Sequence, residues 1–259
     1  MMRMRARATR RFRPLGLALG FALALVSAAS SRSAALAATT APQAAHQGSK
    51  QTGQDLLQAG GGWHTLILRT SAPELRGWLH PGFPAGWTIH DGVLSKSGEV
   101  DDLQSTRMYK DFDLELEWKI GREGNSGIFY RATHQYDQIY WTGPEYQLLD
   151  DQNAPDGKNP LTAAGSVYAM YPAPRGAVHP YGHWNTARIL VRGNHVTYWM
   201  NGRRIVDYDF GSPDWKKRVA ASKFSAYPGY GRAPEGFIGI QGNHPGSIAI
   251  RHMRIKVLP

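Results

Sequence analysis

The sequence predicts an all-β fold, a two-sheet antiparallel jelly-roll sandwich, on three observations. Short apolar runs with two-residue alternation recur after about residue 63, and Gly, Pro, Asn or Asp bounds each of them. The dipeptides Asp91-Gly92 and Asn201-Gly202 stand between such runs, as tight hairpin turns require. No stretch shows convincing amphipathic helical spacing and no repeat recurs, which argues against βαβ units, propellers and solenoids.

The predicted strands follow one another along the chain with short turns between them. The clearest lies at residues 112–118, where apolar and charged residues alternate without a break. The best helix candidate is residues 214–224, which begins at a Pro-Asp pair and carries several basic residues. The strand segments are residues 87–89, 93–94, 112–118, 126–131, 145–149, 188–191, 196–200, 203–208, 237–241 and 248–257.

The amino-terminal residues predict export rather than fold. Arginines without any acid precede an apolar run, and Ala35-Leu36-Ala37 has the form of a signal-peptidase site. We therefore expect a signal peptide at residues 1–37, a flexible linker at 38–62 and one jelly-roll domain at 63–259, exported to the periplasm or secreted. Arg10-Arg11 leaves a twin-arginine signal open beside the general one, and a single-pass anchor is disfavoured because the apolar run is short.

Charge and cysteine content narrow the function classes. The formal charge is +10, but residues 1–37 hold seven arginines and no acid, which leaves +3 on the rest. Most of the excess positive charge therefore belongs to the predicted export signal, and it does not argue for a nucleic-acid partner. The chain has no cysteine, so an exported product depends on its apolar core instead of disulfides. We expect no membrane association after removal of the signal, and the oligomeric state stays open.

Several short motifs occur in a fixed order and carry a family resemblance. They are Gly62-Trp63, Gly77-Trp78, the segment 87–94, the segment 109–118, Gly124-Asn125-Ser126-Gly127-Ile128 with Arg131, the segment 143–150, Gly165-Ser166-Val167-Tyr168, Trp184-Asn185, Asn201-Gly202 and Gly239-Ile240-Gln241. In this order they resemble the 3-keto-disaccharide hydrolase family over nearly the whole mature chain. The stretches 69–76, 173–181 and 223–234 depart from the family pattern, and we expect the last two to shape the rim of a pocket.

The resemblance implies a concanavalin A-like lectin/glucanase fold and activity on glycosides whose C3 hydroxyl is oxidised to a ketone. Such a ketone acidifies the hydrogen on C2, so a base can form an enolate that expels the C1 substituent. Water then adds, and the net result is hydrolysis by elimination and hydration. The site needs a base, a stabiliser for the enolate oxygen, and an acid near the leaving group.

Strand parity selects the candidate catalytic residues. In two neighbouring strands Arg131 shares a face with Asn125, and Glu145 shares a face with Gln147, so these side chains point away from the core. Asp150 joins them if its strand ends near Leu149. We expect Glu145 or Asp150 as base, Arg131 as electrostatic stabiliser and His244 as proton donor, all converging in one hollow. Candidate substrate-binding residues are Asn125, Gln147, Tyr168, Trp184 and Gln241.

Other interpretations stay open from the residues alone. A two-carboxylate glycosidase is disfavoured, because the positions that would hold its acids read Glu145, Gln147 and Leu149. A non-catalytic, lectin-like carbohydrate-binding module is the main alternative, and a purely structural envelope protein is a third. Arg131 and Glu145 also suit a surface ion pair. No cofactor is certain; a divalent ion that polarises the ketone is left open, without metal ligands assigned.

Overall fold

The computed structural model describes residues 62–259, which form two antiparallel β-sheets packed face to face. The predicted all-β sandwich is confirmed. The predicted signal peptide and nearly all of the predicted linker lie outside the described residues. None of the described helices is long and apolar enough to cross a membrane.

The larger sheet has eight strands, seven of them in the order β11-β10-β9-β6-β13-β4-β3, while β1 pairs with β13. Its strands are β1 (His64–Thr65), β3 (Trp87–His90), β4 (Val93–Ser97), β6 (Phe112–Ile120), β9 (Asn185–Arg192), β10 (His195–Met200), β11 (Arg203–Asp209) and β13 (Ser247–Val257).

The smaller sheet has five strands in the order β2-β5-β12-β7-β8. Its strands are β2 (Leu75–Gly77), β5 (Leu103–Tyr109), β7 (Asn125–Ala132), β8 (Glu145–Leu149) and β12 (Gly236–Ile240). One helix, α1 (Pro213–Ala221), follows β11, and short 3₁₀ turns lie at Ile139–Trp141, Pro155–Lys158 and Lys223–Ala226.

Alternation along the strands builds the core between the sheets. In β6 the apolar residues from Phe112 to Ile120 are buried, while Glu115 and Glu117 face outward and pair with arginines of β13. In β8 the inward residues are Tyr146 and Leu148, so the side chains between them face away from the core. The outer face of the five-stranded sheet therefore collects the polar residues of β7 and β8.

The hairpin turns follow from the residues that occupy them. Asp91 and Gly92 both have positive φ (46° and 78°), and so do Asn201 and Gly202 (51° and 77°). These are the backbone angles of a two-residue turn that Asp-Gly and Asn-Gly favour. The predicted turns at both positions are confirmed.

Helix α1 starts where a side chain can cap it. Ser212 precedes Pro213, and its Oγ accepts a hydrogen bond from the Trp215 backbone N–H at 3.1 Å. The predicted helix ends at Ala221, and the residues that follow form the 3₁₀ turn Lys223–Ala226. This change in direction brings Lys223 over the outer face of the five-stranded sheet.

Candidate functional site

A cavity of about 340 Å³ opens on the outer face of the five-stranded sheet. Several parts of the chain form it: the strands β7 and β8, the end of β12 and the loop after it, the turns at Ile139–Trp141 and Pro155–Lys158, Tyr168, and the segment that follows α1. Its lining residues are Asn125, Gln138, Tyr140, Glu145, Gln147, Asp156, Tyr168, Lys223, Phe224, Tyr227, Gln241, Asn243 and His244. The volume lies in the range of pockets that hold small ligands.

Glu145 lies at the base of this cavity, at the first position of β8, and only 7 % of it is exposed. The neighbouring strand makes room for it at Gly127. A Cβ atom on Gly127 would lie 2.1 Å from Glu145 Oε1 and 2.7 Å from its Cδ. The carboxyl group therefore lies across β7 because position 127 has no side chain.

The surroundings of Glu145 keep its carboxyl group protonated over much of the neutral range. Burial raises its pKa to about 8, and the charges of Asp102 and Asp156 act in the same direction, while Lys223 opposes them. When the amide nitrogen of Gln147 faces the carboxyl group, it donates to Glu145 Oε1 at 3.0 Å. A carboxyl group tuned in this way can exchange protons near neutral pH.

Lys223 is a cation held by aromatic rings at the side of the cavity. Its Nζ lies 4.5 Å from the ring centroid of Tyr168 and 5.7 Å from that of Tyr140. Tyr168 donates its hydroxyl proton to Asp156 Oδ2 at 3.2 Å, and burial raises the pKa of Tyr168. A positive charge beside a protonated carboxyl group is suited to an anion that forms between them.

His244 reaches the cavity on a loop that a buried carboxylate organises. Asp102 Oδ1 accepts the backbone N–H groups of Gly242 at 2.7 Å and Asn243 at 3.2 Å. Lys96 Nζ donates to the His244 carbonyl oxygen and to that of Gly98 at 2.9 Å. Burial lowers the pKa of the His244 imidazole, and the Lys96 charge adds to this effect, so the ring is neutral at neutral pH.

Polar and aromatic groups complete the lining. Gln241 holds its place through a backbone N–H bond to the Gly127 carbonyl at 2.9 Å, and its Oε1 is buried with no partner within residues 62–259. At the rim, Tyr227 stacks on Trp141 with ring centroids 5.3 Å apart and meets Tyr140 edge to face at 5.9 Å. Such a combination suits the hydroxyl groups and the faces of a sugar ring.

The structure brings six of the nine residues selected from the sequence into this one cavity. They are Glu145, His244, Asn125, Gln147, Tyr168 and Gln241. Their roles stay predictions. The remaining three, Arg131, Asp150 and Trp184, lie elsewhere, so the expectation that Arg131, Glu145 and Asp150 converge is wrong.

Arg131 is turned away from the cavity by a β-bulge. Phe237 of β12 pairs with Ala132, and Gly239 pairs with Phe129, so β7 uses one residue more than its partner. Arg131 lies in that bulge with φ 52°, and its guanidinium group donates to the Gly193 carbonyl oxygen. Strand parity placed it on the wrong face because the bulge reverses the alternation.

Asp150 serves the turn after β8. The strand ends at Leu149, as the sequence predicted, but the carboxylate of Asp150 is only 2 % exposed and does not line the cavity. It accepts hydrogen bonds from the Glu123 N–H at 2.9 Å, the Gln152 N–H at 3.2 Å and the Asn153 amide at 2.8 Å. These bonds use its oxygens to hold two loops together.

Trp184 belongs to the outer face of the other sheet. The Arg251 guanidinium lies 4.1 Å from its ring centroid and Lys119 Nζ lies 4.9 Å away. On the same sheet lies a larger cavity of about 900 Å³, and its lining includes Glu115, which forms ion pairs with both Arg188 and Arg254. These charges are mutually satisfied, so we place the candidate site in the smaller cavity around Glu145.

Sequence reasoning missed Lys223, Asp156 and Tyr227 as site residues. The only signal was that residues 223–234 depart from the family pattern, which predicted a rim role for that stretch; Lys223 and Tyr227 line the cavity there. The other stretch expected at the rim, residues 173–181, does not contribute to this cavity.

A metal site is not apparent in the part of the chain that the structure describes. Within residues 62–259 no group of three or more His, Asp or Glu side chains is arranged to hold an ion.

Comparisons with known proteins agree with this architecture. A 3-keto-disaccharide hydrolase of Bacteroides thetaiotaomicron is 33 % identical over 229 residues, which cover 76 % of this chain and 79 % of that protein. The crystal structure of a candidate glycosyl hydrolase from Parabacteroides distasonis is 31 % identical, with a TM-score of 0.71 over 76 % of this chain and 94 % of that one. A second from the same organism is 27 % identical, with a TM-score of 0.62 over 76 % and 100 %.

The family profile covers almost all of the described fold, including both sheets and every residue of the candidate site. This profile describes the 3-keto-alpha-glucoside-1,2-lyase-like domain, and it matches residues 62–256. The chain is thus a carbohydrate-active protein, and it belongs to the 3-keto-alpha-glucoside-1,2-lyase-like domain family.

Proposed function

We propose that this protein cleaves 3-keto-glycosides by removal of the C2 proton, elimination of the C1 substituent and hydration of the product. The observation that carries the proposal is Glu145, a buried carboxyl group with a pKa of about 8 at the base of a sugar-sized cavity. The relative named 3-keto-disaccharide hydrolase supports the substrate class.

Glu145 is the proposed base. Its ionised form takes the C2 proton, and the C–H electrons form the C2–C3 double bond of an enolate. A group whose pKa is near the working pH can accept this proton and release it again later in the same cycle. A pKa of about 8 meets this requirement, whereas the usual carboxyl pKa of 4.5 would make it a weaker base.

We assign to Lys223 the role of electrostatic stabiliser of the enolate, which the sequence analysis gave to Arg131. The enolate carries its negative charge on the C3 oxygen, and Lys223 is the cation that lines the cavity beside Glu145 and lowers its pKa. The Tyr168 ring, whose centroid lies 4.5 Å from Lys223 Nζ, holds this positive charge beside the cavity, where it can stabilise the enolate as it forms.

The elimination step returns the enolate electrons to the C3 ketone as a C1–C2 double bond forms and the C1–O bond breaks. Glu145 then carries a proton that the departing oxygen can take. The imidazole of His244 is neutral at neutral pH because burial lowers its pKa, so we assign it to hydrogen bonding with that oxygen instead of to proton donation from an imidazolium. Water adds across C1–C2 once Glu145 is ionised again.

The test is the variant Glu145→Gln, assayed with a 3-keto-glucoside for release of the C1 substituent and for loss of a deuterium label at C2. We expect both rates to fall by roughly 10²–10⁴-fold, the usual contribution of a positioned base. The matched control is Glu115→Gln on the outer face of the other sheet, which should leave both rates unchanged. Turnover retained by Glu145→Gln would remove this residue from the mechanism, and sugar binding by wild type without turnover would support the lectin-like alternative.

A further inference from the structure

A second cavity, of about 630 Å³, lies on the far side of the segment that carries Lys223. Arg131 and Phe210 line it together with α1 residues and the loop from Tyr230 to Pro234. Neither Glu145 nor His244 lines this cavity, so it is separate from the candidate active site. Its volume also falls in the range of small-molecule pockets.

Arg131 is an unusual residue to find in this wall. It is 3 % exposed, and within residues 62–259 no carboxylate forms an ion pair with it; the charge of Asp111, whose Oδ1 accepts the Gly193 N–H at 2.6 Å, acts on it from a greater distance. Its partners are the Gly193 carbonyl oxygen and the Phe210 ring, whose centroid lies 4.6 Å from the guanidinium carbon, while its Nε has no hydrogen-bond acceptor in the described chain. A buried guanidinium group is normally paired with an anion, because desolvation of an unpaired charge is costly.

The backbone adds a second, independent observation. Arg131 has φ 52°, a left-handed conformation that is unfavourable for a residue with a side chain. The β-bulge that imposes this angle is what directs the guanidinium toward the cavity instead of toward Glu145. Strain of this kind persists where the surrounding structure fixes it, and it is found preferentially at ligand sites.

The rest of the wall indicates what kind of anion would fit. Lys216 and Arg232 add two more cationic side chains, and no Asp or Glu is among the residues that line this cavity. The remaining surface is largely apolar and aromatic, with Phe210, Trp215 and Val219 prominent. A carboxylate attached to a flat or apolar ring would satisfy both the positive charge and the apolar wall.

We propose that this second cavity, formed by Arg131, Phe210, Trp215 and Lys216, is a binding site for a small organic carboxylate with a ring body. The carboxylate accepts hydrogen bonds from the Arg131 guanidinium, and the ring lies against the aromatic wall. The proposal does not depend on the chemistry at Glu145, since the two cavities share no lining residue.

The experiment uses the full-length protein with benzoate as the probe, and binding is measured by calorimetry and by tryptophan fluorescence, to which Trp215 in the cavity wall contributes. We expect saturable binding with one site per chain. Benzamide, which has the same ring without the charge, and inorganic phosphate, which has charge without a ring, should each bind at least tenfold more weakly. If benzamide bound as tightly as benzoate, the charge would not contribute to recognition and the proposal would be overturned. If phosphate bound as tightly as benzoate, the ring would not contribute, which would also overturn it.

Two variants then locate the site. Arg131→Met should weaken benzoate binding at least tenfold, whereas Arg69→Met, which changes an exposed arginine outside the cavity, should leave it unchanged. Because Arg131→Met removes a buried group and its hydrogen bond, the variant Ala233→Phe provides a second test that fills the cavity and keeps Arg131. Benzoate binding that survives in folded Ala233→Phe, or the absence of saturable binding by wild type, would overturn the proposal.

Discussion

At the residue scale, the candidate site depends on what lies opposite Glu145. The carboxyl group occupies space that any side chain at position 127 would fill, since a Cβ there would lie 2.1 Å from Oε1. Burial in that space raises the pKa of Glu145 to about 8. One glycine therefore determines both the position and the protonation of the proposed base.

The variant Gly127→Ala tests this dependence. We expect kcat on a 3-keto-glucoside to fall at least tenfold, because the added methyl group displaces the carboxyl group from its place over β7. Gly176→Ala is the control: a Cβ there meets nothing within 4 Å, although φ is 74° and the change costs about 1 kcal/mol of stability. Equal kcat values in Gly127→Ala and wild type would show that Glu145 is not held by this contact.

The pH dependence of activity follows from the ionised form of Glu145 acting as base. Below its pKa the carboxyl group is protonated and cannot accept the C2 proton, so kcat/KM should rise with pH and level off above about 8. A profile of kcat/KM between pH 5 and 9.5 checks this. A rate that is constant or falls over that range would contradict the assignment of Glu145 as base.

The raised pKa of Glu145 also predicts how stability depends on pH. The folded pKa of about 8 exceeds the ordinary value of 4.5, so each pH unit between these two values costs the folded state about 1.4 kcal/mol relative to the unfolded chain. This cost is absent below pH 4.5, grows between pH 4.5 and 8, and is complete above that. Glu145→Gln should thus gain stability relative to wild type as the pH rises from 4.5 to 9, as urea unfolding would show. A difference that does not vary with pH would contradict the raised pKa.

At the element scale, α1 and the turn after it deliver Lys223 to the cavity. The helix begins at the Ser212 cap and ends at Ala221, and the 3₁₀ turn Lys223–Ala226 then reverses the chain toward Tyr168. Phe224 fixes this turn by stacking on Tyr230 with ring centroids 3.8 Å apart. The position of the proposed enolate stabiliser is therefore set by a cap at one end of the helix and an aromatic stack at the other.

Removal of the helix cap should also affect the candidate active site, because α1 and the turn after it position Lys223. We expect Ser212→Ala to cost about 1 kcal/mol of unfolding free energy, because the Trp215 N–H loses its acceptor. The KM for a 3-keto-glucoside should rise as Lys223 becomes less well positioned. Ser71→Ala, which removes an exposed hydroxyl outside this element, is the control. A KM that stays at the wild-type value in Ser212→Ala would indicate that the cap does not position Lys223.

At the scale of the whole molecule, the sandwich separates two kinds of surface. The outer face of the eight-stranded sheet carries ion pairs between neighbouring strands, such as Glu115 with Arg254 at 2.6 Å. The outer face of the five-stranded sheet instead holds Glu145 and Lys223, which within residues 62–259 are not paired with each other. The carboxyl group of Glu145 and the ammonium group of Lys223 therefore line the cavity without forming an ion pair with each other.

We also propose that the chain is exported and cleaved after Ala37. Expression of the full sequence in a bacterium should yield a mature protein that begins at Ala38 and is found in the periplasm or the medium. Amino-terminal sequencing of the purified product checks this, and substitution of Ala35 and Ala37 by bulky residues should block the cleavage. A product that retains Met1 and stays in the cytoplasm would contradict the proposal.

The sequence by itself determined the sandwich and most of the strand positions, because alternation of apolar and polar residues and the turn dipeptides are local signals. The segment 145–149 was predicted with the bounds that β8 has, and parity within it placed Glu145 and Gln147 on the correct face. The core formed by Tyr146 and Leu148 follows from the same alternation.

Only the tertiary structure decided which charges meet. Arg131 lies outside the site because β7 has a bulge where it pairs with β12. Nothing in the sequence of β7 itself indicates that extra residue. Lys223 joined the site from 78 residues beyond Glu145, through the direction of α1 and the stacking of Phe224. Local periodicity specifies which way a regular strand faces, whereas bulges and long-range packing depend on partners that are distant in the chain.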